Sequence, residues 1–428
     1  MKHETSPDRR RSNHRLSGLK IIFLLLLIAV AAVMVVLVAR TVRQGSGTPV
    51  VETGVVVAAS TEPPTVTEPP AEAPTEPPLT PEEQWVSDTM ACMTLKEKLC
   101  QLFAVTPEQL SKQVGVTEAD DTLKAALETY PVGGVILFGG NISHAEQVAA
   151  LIGGMQEAAK IPLLVGVDEE GGIVSRLSGV GITRYYDSMA VYGSEGALER
   201  VEEIGGEIAD DICAVGFNVD FAPVADIVTN PDNTEIGVRS FSSDPSVASE
   251  MVKAMVRGLQ DGGCVSCLKH FPGMGSTETD SHYGTSVSPR TLDELRSSEL
   301  LPFRAGIESG AQMVMVSHMS LPNVLGDDTP CDLSPEIVTQ LLREELGFDG
   351  VVITDSHAMA SVTERYDAGE AALLAIQAGC DIVLMPDSLT RAVAVLQAAV
   401  SSGELTEERV DESVSRILTL KYRNGIAD

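Results

Sequence analysis

Residues 85–428 read as a (β/α)8 TIM-type α/β barrel on three observations. Eight short apolar runs recur along the stretch, helix-length amphipathic segments separate them, and the runs end in polar residues. The runs are CQLFAV (100–105), GGVILF (133–138), LLVGVD (163–168), NVDFAP (218–223), CVSCLKH (264–270), QMVMVSH (312–318), GVVITD (350–355) and DIVLMP (381–386). Near-continuous β-branched and apolar residues suit strands buried on both faces. Between them lie AEQVAALIGGMQEAA, VASEMVKAMVRGLQDG and SPEIVTQLLREELG, the last with Ser334 as N-cap and Gly347 as stop. A doubly wound open sheet is the alternative, but no GxGxxG or P-loop follows any run. In a barrel the chemistry gathers where the strands end. Here those ends carry Asp168, Asp226, Lys269, His270, His318, Asp355 and His357.

The preceding residues divide into three parts. Residues 1–20 are basic, with Lys2, Arg9, Arg10, Arg11, Arg15 and Lys20. Residues 21–39, IIFLLLLIAVAAVMVVLVA, hold no charge and no proline over a length that spans a bilayer. The basic flank predicts a cytoplasmic N-terminus and an extracytoplasmic bulk. A cleaved signal peptide competes, but no A-x-A site or lipid-accepting Cys follows, so an uncleaved anchor is expected. Residues 40–84 repeat TEPP at Thr61, Thr67 and Thr75. Such a stretch buries too little apolar surface to fold and reads as a disordered stalk.

Composition narrows the function. A formal net charge of -31 argues against a nucleic-acid partner, because phosphate binding needs a basic surface. Hydrophobic residues at 44% supply a full core. Seven irregularly spaced cysteines imply no disulfide framework. Cys264 and Cys267 form a CxxC inside an apolar strand rather than at a helix start, so they read as buried thiols.

Three chemistries suit the strand ends. His270, His318, His357 and Asp355 could ligate zinc, although the first run ends in AVTPEQ without the His pair of barrel metallohydrolases. Lys269 could form a Schiff base, but neighbouring Asp168 and Asp355 would hold it charged. The third chemistry is glycoside hydrolysis. Asp355, aimed by a rigid strand, supplies a nucleophile, and the loop KHFPGMGSTETDSHYG (269–284) supplies Asp280 and His282. Alternate residues of an extended segment point the same way, so Asp280 can orient His282 and stabilise its protonated form. The loop's glycines and Pro272 suit a mobile segment that delivers the acid when substrate is bound.

MTLKEKLCQLF (93–103), GGVILFGGNI (133–142), VGVDEEGGIVSRL (165–177), NVDFAPVADI (218–227), IGVRSFSSDP (236–245), KHFPGMGSTETDSH (269–282) and GFDGVVITDSHAM (347–359) together resemble glycoside hydrolase family 3. The resemblance covers essentially the whole domain and is strongest to single-domain bacterial β-N-acetylhexosaminidases, which act on peptidoglycan fragments. It implies Asp355 as nucleophile, His282 as acid/base and Asp280 as its partner, with no metal or organic cofactor. It implies substrate contacts for Asp168, Arg176, Arg239, Lys269 and His270. Two-domain β-glucosidases of the family take their acid/base from a second domain, for which a chain ending at Asp428 leaves no room. The chain departs from the family where DEEGGIVSR replaces DQEGGRVQR, through Glu169 and Ile173, and where Met274 replaces the His of GHG.

The expected partners are β-N-acetylglucosaminyl glycans or muropeptides, and the membrane through the N-terminal helix. Two other readings stay open: a phosphorylase of the same family, using phosphate in place of water, and a tethered glycan-binding protein without turnover. Each residue also has a plainer role: Asp355 as a helix cap, Asp280 and His282 as a solvated turn, Lys269 as an ion-pair partner, Arg239 as a surface cation. Glu169, Glu170 and Asp226 are expected to organise the pocket by hydrogen bonds, with Asp226 the rival nucleophile. His318 and His357 are expected to hydrogen-bond within the wall.

Overall fold

The computed structural model describes residues 79–277 and 286–427. The described residues belong to one compact unit. The anchor expected at 21–39, the expected stalk as far as residue 78, and Asp280 and His282 lie outside the described residues. The last part of the expected 40–84 stalk is folded instead, because Thr80 and Glu83 form a capping box that starts the helix Pro81–Ala91. Among the described residues no helix is long and apolar enough to cross a membrane.

Among the described residues ten strands follow in chain order. They are β1 (Phe103–Val105), β2 (Gly134–Ile136), β3 (Leu164–Val167), β4 (Glu169–Gly171), β5 (Val174–Ser175), β6 (Val219–Asp220), β7 (Val265–Phe271), β8 (Met313–Val316), β9 (Val351–Ser356) and β10 (Ile382–Leu384). Eight of them close a barrel in the order β1-β2-β3-β6-β7-β8-β9-β10, every neighbouring pair parallel. The remaining two, β4 and β5, form an antiparallel hairpin directly after β3.

Period-two alternation splits the strand residues between two apolar layers. Ala104, Ile136, Leu164, Val219, Phe221, Val265, Met313, Val351 and Ile382 fill the barrel interior. Val105, Val135, Val165, Leu268, Val314, Val352 and Val383 face the surrounding helices. Gly166 makes room for one large interior ring, because a Cβ there would lie 2.6 Å from Phe221. The two thiols of the CxxC obey the same alternation: Cys264 belongs to the outer layer and Cys267 to the inner one, and both are free.

Each of the eight runs holds a strand, with two local corrections. The first run starts late: Cys100 and Gln101 belong to the helix Leu95–Gln101. Thr94 and Glu97 form a reciprocal capping box that winds this segment before β1 begins. In the SPEIVTQLLREELG segment Ser334 does not cap with its side chain, because its hydroxyl donates to Glu336 at 2.8 Å. The helix Glu336–Glu345 is wound in the wide π form, and Gly347 leaves it at φ +73°.

Candidate active site

The C-terminal ends of the strands surround a cavity of about 290 Å³. Asp168, Arg176, Arg239, Lys269, His270 and Asp355 all line it, so six expected site residues meet although the first and last lie 187 positions apart in the chain. The two remaining expected residues, Asp280 and His282, lie outside the described residues.

One wall is a cation–carboxylate lattice. Lys269 leaves β7 at 2% exposure and places its Nζ 2.8 Å from Asp168 and 2.6 Å from Glu170. Arg239 clasps Glu170 with both arms of its guanidinium, at 2.8 Å and 2.7 Å. Arg176 comes within 3.6 Å of Asp168 and lies over the Phe138 ring. Burial disfavours the charge on Lys269, but Asp168 and Glu170 outweigh it and push its pKa above the ordinary lysine value. Burial likewise opposes ionisation of Glu170, yet Lys269 and Arg239 hold its carboxyl far below the usual range. Glu170 can therefore be no proton donor and Lys269 no amine nucleophile; both hold fixed charge toward a polar ligand. The surface reading of Arg239 is wrong for the same reason, since its side chain is 13% exposed and paired.

Asp226 is a scaffold. Its carboxylate accepts the backbone N–H of His270 at 3.0 Å and that of Met274 at 2.7 Å, and meets His270 Nδ1 at 2.7 Å. With 1% exposure and those three bonds it cannot reach an anomeric carbon, which removes it as rival nucleophile. Its contacts orient His270 into the cavity and pin the loop that follows β7. Glu169 does the equivalent for the hairpin, accepting from Arg176 N, Leu177 N and Thr183 Oγ1.

The first part of the 269–284 loop is packed rather than loose. Gly275 lies so close to Ile227 that a Cβ would be 1.8 Å from its carbonyl oxygen, and the Gly275 carbonyl accepts from Thr229 N and Asn230 N. Gly273 has φ +119°. These glycines serve close approach and turning, which corrects the expectation of a mobile segment as far as Thr277.

Asp355 sits near the end of β9 with one carboxylate oxygen accepting the Ser356 N–H at 2.7 Å. Burial would raise its pKa, but His318, His270, that N–H and Lys269 outweigh it and bring the carboxyl below its ordinary value. The pocket thus presents an ionised carboxylate at a rigid strand end. Behind it, Asp332 joins two histidines, with Oδ2 3.1 Å from His318 Nδ1 and 2.8 Å from His357 Nε2.

Sequence reasoning passed over Asp332 and gave Glu170 only a supporting part. Asp332 stands in CDLSP, between two apolar residues, and that single charge was the only sign of it. Met385, which lines the cavity at φ +48°, was also missed. The metal reading is altered too. His318, Asp332 and His357 bring candidate ligand atoms within 4.8 Å of one another. His270 belongs instead to Asp226. Within the trio His357 Nε2 is hydrogen-bonded to Asp332 Oδ2 at 2.8 Å, whereas His318 Nδ1, 3.1 Å from the same oxygen, makes no hydrogen bond.

The family model described as "Glycosyl hydrolase family 3 N terminal domain" matches residues 94–420. Beta-hexosaminidase LpqI of Mycobacterium tuberculosis is 36% identical over 347 residues, covering 78% of this chain and 84% of that protein. Beta-hexosaminidase A of Pseudoalteromonas piscicida is 33% identical over 339 residues, 73% of this chain but only 56% of that relative. Among solved structures, a glycoside hydrolase family 3 beta-N-acetylglucosaminidase from Paenibacillus sp. superposes with a TM-score of 0.74 at 38% identity, covering 78% of this chain and 63% of that one. Beta-glucoside phosphorylase BglX superposes with a TM-score of 0.71 at 29% identity, covering 81% and 61%. The barrel, its motif order and the family match over residues 94–420 agree: this chain belongs to glycosyl hydrolase family 3.

Proposed function

We propose that the chain is a retaining glycosidase that releases terminal β-linked N-acetylglucosamine from peptidoglycan-derived or related glycans. The observation that carries this reading is Asp355, an ionised carboxylate at a barrel strand end beside a fixed-charge wall of Lys269, Glu170, Arg239 and Asp168. In the proposed reaction Asp355 attacks the anomeric carbon while protonated His282, oriented by Asp280, donates to the leaving oxygen. Water, deprotonated by neutral His282, then releases the sugar with retained configuration. Asp168, Arg176, Arg239, Lys269 and His270 hold the sugar hydroxyls. The β-hexosaminidase relatives support the sugar class.

The test is Asp355→Ala assayed on a chromogenic N-acetylglucosaminide. Loss of kcat/KM by at least about 10³-fold, about 4 kcal/mol of transition-state stabilisation, is expected. Activity equal to the parent would end the proposal. Mass identification of the sugar freed from purified muropeptides tests the substrate.

The likeness to a beta-glucoside phosphorylase favours one second reading, in which phosphate replaces water in the second step. A sugar 1-phosphate formed only when phosphate is added would establish it. We further propose that residues 21–39 anchor the enzyme with its barrel on the extracytoplasmic side. Protection of the barrel from added protease in intact, wall-stripped cells would refute that orientation.

A further inference from the structure

We propose that His318, Asp332 and His357 form a zinc site in the barrel wall behind Asp355, one that braces the ends of β8 and β9 and takes no part in bond cleavage. The inference goes beyond the proposed reaction and does not depend on the role given there to Asp355.

Eight buried side-chain nitrogen and oxygen atoms among the described residues lack a hydrogen-bond partner, and three belong to this trio: His318 Nδ1, Asp332 Oδ1 and His357 Nδ1. Unpaired polar atoms inside a protein are costly, so three in touching residues call for a common cause. All three residues are at most 1% exposed. His318 Nε2 lies 3.0 Å from the Ser356 carbonyl oxygen, which can only accept, so Nε2 carries a proton. Nδ1 lies 3.1 Å from Asp332 Oδ2 without bonding to it: the separation is short but the direction is wrong. In the neutral ring Nδ1 is a lone pair, and a lone pair beside a carboxylate oxygen is repelled unless a cation lies against both. A histidine whose other N–H is held by a backbone carbonyl is the usual form of a metal ligand.

The spacing fits a small divalent ion. Candidate ligand atoms of the three residues all lie within 4.8 Å of one another. Zinc holds nitrogen and oxygen ligands at about 2.0–2.2 Å, which sets tetrahedral neighbours about 3.3 Å apart, so the separations of 3.1 Å and 2.8 Å have to open by only about 0.2–0.5 Å. His357 Nε2 hydrogen-bonds Asp332 Oδ2 without the ion; on binding, the ring proton moves to Nδ1 and Nε2 turns its lone pair to the metal. Asp332 Oδ1 completes four donor atoms. Two imidazoles and a carboxylate suit zinc, whereas magnesium and calcium take oxygen ligands.

Three segments supply the ligands. His318 follows β8, His357 follows β9, and Asp332 lies in the turn Cys331–Leu333. That turn is fixed in place, because Cys331 N donates to Met319 O at 2.9 Å and Asp332 N to Ser317 O at 3.3 Å. None of the three side chains lines the cavity. The site reaches Asp355 only through the Ser356 peptide, which accepts from His318 and donates to Asp355 Oδ1 at 2.7 Å. A brace follows from that placement, not a Lewis acid facing the sugar.

The full chain, produced in zinc-supplemented medium and purified without chelator, should carry about one zinc ion by elemental analysis. Anomalous diffraction at the zinc edge should place the ion among these three residues. Less than about a tenth of an ion per chain, or a peak at any other residues, overturns the proposal. Asp332→Asn should lower the zinc content at least about tenfold, as should His318→Gln, which keeps a donor toward Ser356 but removes Nδ1. Unchanged content in either folded variant overturns the proposal. Zinc-depleted chain should melt several degrees below the loaded chain, and an equal Tm refutes the brace. None of these readouts needs turnover, so they stand apart from the Asp355→Ala assay.

Discussion

Arg239 meets Glu170 across 69 positions of chain, and the pairing is bidentate. The planar fork is what makes it so, because lysine offers a point charge without two parallel donors. Arg239→Lys should therefore lower kcat/KM by about tenfold while leaving the fold intact, as read by circular dichroism and steady-state kinetics. Lys269 presents the opposite limit. Sealed between Asp168 and Glu170, it is held protonated, so carbonyl trapping with borohydride should give no adduct. Lys269, His270 and Asp355 were legible in the sequence because each ends an apolar run. The Glu170–Arg239 clasp was not, since no local spacing brings those two residues together.

At the scale of elements, the stem after β7 and the C-terminal helix decide how firmly the site is held. Gly275→Ala would drive a methyl into the Ile227 carbonyl, with nothing flexible to yield. A loss of about 2–4 kcal/mol is expected, checked by chemical denaturation, with activity falling together with stability. Asp381, just before β10, is fully buried and binds Arg343 at 2.6 Å, Arg416 at 3.2 Å and Ser413 at 2.7 Å. It ties the helix Glu407–Arg423 to the barrel. Asp381→Ala would leave buried cations unpaired and should cost about 3–5 kcal/mol by the same measurement. Periodicity revealed these elements, but no sequence signal distinguished Asp381 from an ordinary strand-start carboxylate.

For the whole molecule, the end of the barrel opposite the cavity matters to stability alone. Ile417 and Leu420 of the Glu407–Arg423 helix join the interior apolar layer. Beside them Lys421 is fully buried, and its Nζ donates to Gln101 Oε1 at 2.8 Å. Burial pushes its pKa down to about 7 from an ordinary 10.5. Between those values the unfolded chain binds a proton that the folded chain does not, so stability rises with pH across that window. Lys421→Met should remove this dependence and raise stability by at least ~1 kcal/mol at pH 7, seen as a higher Tm at neutral pH and a flatter Tm profile up to pH 10. Kinetics should not change, because Lys421 does not line the cavity.

By itself the sequence determined the barrel and the strand-end residues, because both rest on short-range periodicity and on where an apolar run stops. Its motif order also indicated the family. Only the tertiary structure decided which charges neutralise one another. It made Asp226 a scaffold, Glu170 a wall of the cavity and Asp332 the partner of two histidines. Charge pairing depends on distances below about 4 Å between residues far apart in the chain, and those distances exist only once the strands have closed.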